Sequence, residues 1–344
     1  MRAAVLRAGR MVVDEFPEPT PGPGEVLVAV RACGICGSDL HFVRHGSEYL
    51  ALTEEMGGVP KRPPIDLARD VHMGHEFCAE VLAAGPGTHA PPPGTLVTSM
   101  PVLMRGGQRR SLSFTNEFAA AYGERMVLSR ELLVEVPTGI DPAIAAMTEP
   151  LAVGLHAVIR SGIRPGDAAV VLGCGPVGLT IIAGLRRAGI EPVIAADFSP
   201  ARRATASAMG AHEVVDPQVE EGLAAWRRLD GRRPLYVFEA VGVPGMINGV
   251  MRDAPRGARI VVAGLCMQAD VIQPVFGIHK ELTVQFVLAY DEVEFAGALH
   301  SIADGEIDVS PMITGHVGLD GLAQAFDDLA QPERHTKIVV DPSR

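Results

Sequence analysis

The sequence predicts an α/β protein in two dissimilar parts, an irregular all-β unit and a doubly wound parallel sheet. Three observations predict it. The chain has 344 residues, comfortable for two domains and long for one simple core. Its first part is a series of short β-like runs cut by Pro and Gly. Near residue 150 the rhythm changes to apolar strands alternating with helical patterns, the mark of a parallel sheet covered on both faces. Hydrophobic residues make up 47% of the chain, so apolar surface to bury is ample.

In chain order, "EVLVAVRACG" and "EFCAEVLAAGPG" are apolar runs with β-branched residues and turn residues at their ends. "PPPGTLVTSMP" and "ERMVLSRELLVEVP" continue the style, which gives a β unit over residues 1–149. "AAVVLG", "PVIAAD", "YVFEAVG" and "ARIVVAGL" are then the strands of the sheet, over 150–288. The first two flank "GPVGLTIIAGLRRAG", whose apolar residues suit a helix packed on that sheet. The tail, 289–344, reads as two helices and a closing strand, "HTKIVVDP", and is expected to return to the first unit.

Lys and Arg total 30 against 41 Asp and Glu, a net charge of −11. That leaves no electrostatic footprint for nucleic acid or an anionic membrane, and the paired arginines suit solvated helix faces. Five cysteines do not make a disulfide framework. There is no signal-peptide pattern, and no stretch is expected to span a membrane. The reading is a cytoplasmic protein with reduced thiols.

"VVLGCGPVGL" holds Gly173, Gly175 and Gly178 as G-x-G-x-x-G between a strand and a helical pattern, the context that makes this motif a dinucleotide site. Gly173 permits the tight turn. Gly175 lets backbone approach a pyrophosphate at the helix N-terminus, and Gly178 allows close helix–strand packing. Asp197 ends the next strand, 24 residues after Gly173. A carboxylate there accepts hydrogen bonds from ribose hydroxyls and repels a 2′-phosphate, which favours NAD. Arg202 and Arg203, further on, keep NADP in play.

Cys33 and Cys36 stand in C-x-x-C spacing in "ACGICGSDLH". The spacing alone fits a redox dithiol, half of a structural zinc site, or one working cysteine with a bystander. Further ligand types are His72, His75 and Glu76 in "HMGHEF" and Glu149 in "TEPLAVGLHA". By spacing alone this set is suggestive of a metal site and no more.

"GICGSDLH", "GHEFCAEV", "EPLAVGLHA", "GCGPVGL" and "VFEAVG", in this order over nearly the whole chain, resemble the zinc-dependent medium-chain dehydrogenases of the sorbitol and threonine dehydrogenase type. The resemblance implies a GroES-like catalytic domain followed by a Rossmann domain. It implies one catalytic zinc on Cys36, His75 and a carboxylate, with Glu149 and Glu76 the two that exchange there. Asp39 would orient His75, and Cys33 would be the bystander. Ser38 and His41 match the proton-relay positions, passing the alcohol proton towards solvent through the cofactor ribose. Pro176, Val177, Val241 and Gly242 would join the glycines and Asp197 at NAD.

Residues 79–173 contain no cysteine, so the structural zinc common in the family is expected to be missing. Cys78, Cys174 and Cys266 are then expected as buried packing residues, and His45 and His72 as surface histidines. The 39 positions between Cys36 and His75 exceed the family's usual distance. The extra stretch "GSEYLALTEEMGGVPKRPPIDLARD" is expected as a loop, either a wall of the substrate pocket or a surface or subunit contact. The implied activity is reversible hydride transfer between an alcohol, more often secondary, and NAD in a homodimer or homotetramer. The alternatives are a zinc-free, NADPH-dependent quinone or enone reductase and a non-catalytic nucleotide-binding protein.

Overall fold

The computed structural model describes residues 1–56 and 65–344. Contacts divide the chain into two units, Met1–Glu149 with Ile313–Arg344, and Pro150–Met312. Helix Glu292–Ala303, expected in the returning tail 289–344, lies in the second unit, where Phe295, Ala298, Leu299 and Ile302 are buried. The return therefore starts at 313 rather than 289.

The first unit is organised around strand Glu25–Gly34. It pairs antiparallel with Glu76–Ala84 on one side, and at its end with Lys337–Val340 on the other. Most of the central strand is apolar and buried, with Leu27 and Arg31 partly exposed and Arg31 paired with Glu80, so it reads as a nearly continuous hydrophobic run. Gly34 pairs with Glu76 and with Val339. A Cβ on Gly34 would stand 2.1 Å from the Glu76 carboxylate, so any side chain there would displace Glu76. A second sheet contains Arg2–Arg7, Val71–Met73 and Phe114–Thr115. Hairpin Val102–Arg105/Gln108–Ser111 occupies part of the cysteine-free region. It is tied down by Arg105 donating to the buried Glu25 at 2.6 and 2.5 Å.

The extra stretch after Cys36 differs from the expected loop. Residues Gly37–Glu55 are helical, with a kink at His45 (φ −131°, ψ 29°). Phe42 stacks on Phe114 with centroids 4.3 Å apart, and Tyr49 packs edge-on to Phe42, so tertiary burial carries the helix through the insertion. Residues 65–70 of the expected insertion have neither helix nor strand, as a loop does, and 57–64 lie outside the described residues.

The second unit contains a parallel sheet in the order Glu213–Val215, Val193–Ala196, Ala168–Leu172, Leu235–Glu239, Arg259–Val262, Thr283–Phe286. The order reverses at Ala168–Leu172, the switch point where doubly wound sheets bind ligands. Among the described residues one helical stretch, Pro142–Ser161, is long and apolar enough to cross a membrane by length and composition. Its window is 72% buried in the protein, as a core helix is.

Candidate active site

Cys36 precedes helix Gly37–Glu55, whose third residue, Asp39, reaches back to accept the Cys36 N–H at 3.1 Å. This is half of a capping box, and it pins the cysteine at the helix start. His75 sits between strands Val71–Met73 and Glu76–Ala84. Gly74 just before it has φ +97°, and a Cβ there would come within 2.8 Å of the Tyr122 nitrogen. Local constraints of this kind bring Cys36, His75 and Glu76 together, one ligand atom of each within 4.8 Å of the others.

His75 and Glu76 are buried and Cys36 is half-buried. The His75 ring nitrogen Nδ1 faces Asp39 Oδ1 at 3.4 Å, and its Nε2 is 3.4 Å from the Ser38 hydroxyl. Burial alone would lower the His75 pKa. The Asp39 and Cys36 charges outweigh burial and hold it well above the ordinary value. Among the described residues, Asp39 Oδ1 and His75 Nδ1 are buried polar atoms without a hydrogen bond, so the pocket is not satisfied by its own groups. Its sulfur, nitrogen and oxygen donors are those a zinc ion takes, so the residues present fit that metal.

Glu76 has a second partner that sequence reasoning missed. Lys337 is fully buried and donates to both Glu76 carboxylate oxygens at 2.7 Å and to the Ile35 carbonyl at 2.9 Å. Burial would lower the lysine pKa, but Glu76 first, then Cys36 and Glu149, raise it, so Lys337 stays charged. The only signal in the sequence was a lysine opening the apolar run "KIVV". Glu149 is buried at the start of helix Thr148–Ser161 and acts electrostatically on Lys337, but it does not join the close trio.

Ser38 stands in the site through its contact with His75. His41 lies one turn further along the same helix and is exposed. Partial desolvation of its ring against the protein, followed by the charges of His45 and Arg44, lowers its pKa, so it stays neutral and able to accept a proton at neutral pH. Cys33 is buried, and burial with the Asp39 and Glu76 charges pushes its thiol pKa well up, which makes it inert. Cys78 and Cys174 are buried, their thiols pushed up by burial to about 12. Cys266 is only half-buried, against expectation, because its loop lies past the last core residues of strand Arg259–Val262. His72 is also partly buried rather than on the surface, edge-on to Phe16 with centroids 5.1 Å apart. His45 is exposed and pairs with Glu48.

In the second unit the glycines have three separate steric roles. Gly173 has φ +90°. Gly175 caps helix Pro176–Arg187 and opens on free space, so its backbone is accessible to a phosphate with Pro176 and Val177 in the first turn. A Cβ on Gly178 would stand 1.9 Å from the Gly173 carbonyl oxygen. Asp197 accepts from the Cys174 and Ser199 amides, each at 2.8 Å, which fixes its carboxylate beside the glycine turn. Arg203 is engaged with the Asp197 and Phe198 carbonyls and with Asp216. Val241 and Gly242 both donate backbone N–H groups to the buried Glu239, at 2.7 and 2.8 Å, which shapes the next loop. The open backbone at Gly175 and the anchored carboxylate suit a dinucleotide.

Comparison with known proteins is consistent with both halves. Residues 22–138 match the alcohol dehydrogenase GroES-like domain, and residues 176–304 match the zinc-binding dehydrogenase family. The chain is 30% identical to an (R,R)-butanediol dehydrogenase of Bacillus subtilis (strain 168), covering 96% of each protein. It is 26% identical to a sorbitol dehydrogenase of the same organism, covering 100% of this chain and 98% of the relative. A Sinorhizobium meliloti 1021 protein solved with NADP is 28% identical, covers 99% of each chain and superposes with a TM-score of 0.82.

Proposed function

From the premise that this chain belongs to the zinc-dependent medium-chain dehydrogenase/reductase family, we propose that it is an NAD-linked alcohol dehydrogenase with one catalytic zinc per chain. The observation that carries the proposal is the gathering of the half-buried Cys36 with the buried His75 and Glu76, and Asp39 behind the histidine. A zinc ion held there supplies Lewis acidity that makes an alcohol hydroxyl easier to deprotonate, and NAD supplies the hydride acceptor.

The chain's own residues do the rest. Cys36 and His75 would hold the metal with one carboxylate, Glu76 or Glu149. Asp39, facing His75 Nδ1, would orient the ring so that Nε2 is the nitrogen free to ligate. Ser38, beside Nε2, takes the substrate hydroxyl proton, and neutral His41, on the same helix face three residues on, passes it to solvent. In reverse, the same groups deliver a proton to a carbonyl oxygen.

The nucleotide is read as NAD because the Asp197 carboxylate, held beside the glycine turn, would accept ribose hydroxyls and repel a 2′-phosphate, and because Arg203 is already engaged. The substrate class is read as secondary alcohols with a neighbouring hydroxyl, because butanediol and sorbitol dehydrogenases are among the relatives. The acidic charge and the unpaired cysteines support a cytoplasmic enzyme. A homo-oligomer is supported by strand Thr283–Phe286, which ends the parallel sheet beside the exposed Phe286, Leu288, Ile278 and Val293. Light scattering tests it, and a monomer at all concentrations would contradict it.

The test of function is a panel of diols, polyols and simple secondary alcohols, followed by NADH absorbance with NADP in parallel. Turnover of secondary alcohols with NAD supports the reading. Turnover confined to enones with NADPH, or nucleotide binding with no turnover, contradicts it.

A further inference from the structure

Tyr122 takes no part in the chemistry above, yet it touches both arms of the metal site. Its hydroxyl donates to Asp39 Oδ2 at 2.7 Å, and both residues are fully buried. The same oxygen accepts the Cys36 N–H at 3.1 Å. The carboxylate is planar, so fixing Oδ2 fixes the direction of Oδ1, which faces His75 Nδ1 at 3.4 Å.

The tyrosine also bears on His75 from the backbone side. Its amide donates to the Met73 carbonyl at 3.0 Å, and the Ala121 amide donates to the Gly74 carbonyl at 3.2 Å. Its ring lies where a Cβ on Gly74 would stand, 2.9 Å from the nearest ring atom. One residue thus braces Asp39, three positions after Cys36, and Gly74, one position before His75.

We propose that Tyr122 is a positioning residue for the metal site, acting through Asp39 to hold Cys36 and His75 in ligand geometry. The proposal rests on the zinc reading given above. Removing the hydroxyl leaves Oδ2 with the single Cys36 N–H and frees the carboxylate to rotate away from the imidazole. Groups that orient metal ligands in this way are worth about 10–100-fold in metal affinity, and one acting a step further out is expected at the lower end.

The test is Tyr122→Phe, which keeps the ring on Gly74. Zinc affinity is measured by chelator competition and ligand geometry by the visible spectrum of the cobalt(II) protein, with NAD binding as the check of folding. The expected result is about tenfold weaker zinc binding and a shifted cobalt spectrum, with NAD binding unchanged. The Tyr122→Phe/Asp39→Asn double variant should bind zinc no more weakly than Asp39→Asn alone, because both act through one carboxylate. As a measurement that needs no variant at this position, the chain is labelled with 3-fluorotyrosine and its other tyrosines are replaced. The fluorine signal of Tyr122 should then move on zinc addition. Wild-type zinc affinity and cobalt spectrum in Tyr122→Phe, additive losses in the double variant, or a fluorine signal unmoved by zinc would overturn the proposal. Absence of zinc binding by the wild-type chain would instead overturn the metal reading itself.

Discussion

The nucleotide loop and the metal site are built by opposite means. The loop is backbone held in shape by missing side chains, all within Gly173–Gly178, with one carboxylate 24 residues on. The proposed metal site is side chains gathered from positions 36, 39, 75, 76, 122 and 337. In the loop, steric exclusion does the work and a single added carbon does the damage. In the metal site, buried charges balance one another and the damage comes from unbalancing them. The two sites should therefore fail separately and in different ways.

Gly178→Val should produce the largest effect. Its Cβ meets a backbone carbonyl at 1.9 Å, which cannot shift as a side-chain tip can. NAD binding should be lost in calorimetry while zinc content stays at the wild-type level. Loss of zinc as well would break the separation of the two regions.

Lys337→Met probes the charge balance of the other site. It leaves Glu76 buried and unpaired, and breaking such a pair costs about 3–5 kcal/mol. Urea unfolding should show that loss, and the Lys337→Met/Glu76→Gln double variant should recover part of it. A change below about 1 kcal/mol, the range of an exposed ion pair, would mean that the pair is not a structural charge balance.

Asp197→Gly sharpens the reading of the loop. Losing a charged acceptor for the ribose is worth about 1.5–3 kcal/mol, or roughly 10–100-fold in NAD affinity, with NADP relatively improved. An unmoved ratio of NAD to NADP would contradict the role of Asp197.

The smallest effect belongs to His41→Gln. The wild-type His41 pKa lies below its ordinary value of about 6.5, so the neutral base persists through neutral pH and is lost only as pH falls through that lowered value. Alcohol oxidation by His41→Gln should be slower by about tenfold near neutral pH, and the gap should close at high pH, where hydroxide replaces the base. A uniform loss across pH would make His41 a packing residue.

The same contrast explains what was legible in the sequence. The nucleotide loop lies within one contiguous motif, and its flanking strands Ala168–Leu172 and Val193–Ala196 are short apolar runs with turn residues at both ends. Cys36, His75 and Glu76 were legible as motif residues. Lys337 and Tyr122 were not, because their roles exist only through contacts 261 and 83 positions away. Helix Gly37–Glu55 was read as a loop past Gly46 because its charges and glycine hid the aromatic packing of Phe42, Tyr49 and Phe114. The start of the tail was misplaced because the pattern of Glu292–Ala303 shows a helix but not which core it packs on.

Metal analysis of the wild-type chain beside Cys36→Ala and Cys33→Ala, with NAD binding measured on the same samples, tests the central claim most directly. The account predicts about one zinc per chain in wild type and in Cys33→Ala, as one three-ligand catalytic site requires. It predicts no zinc and no turnover in Cys36→Ala, with NAD binding intact. Two zincs per chain, zinc lost from Cys33→Ala, or zinc retained by Cys36→Ala would contradict it.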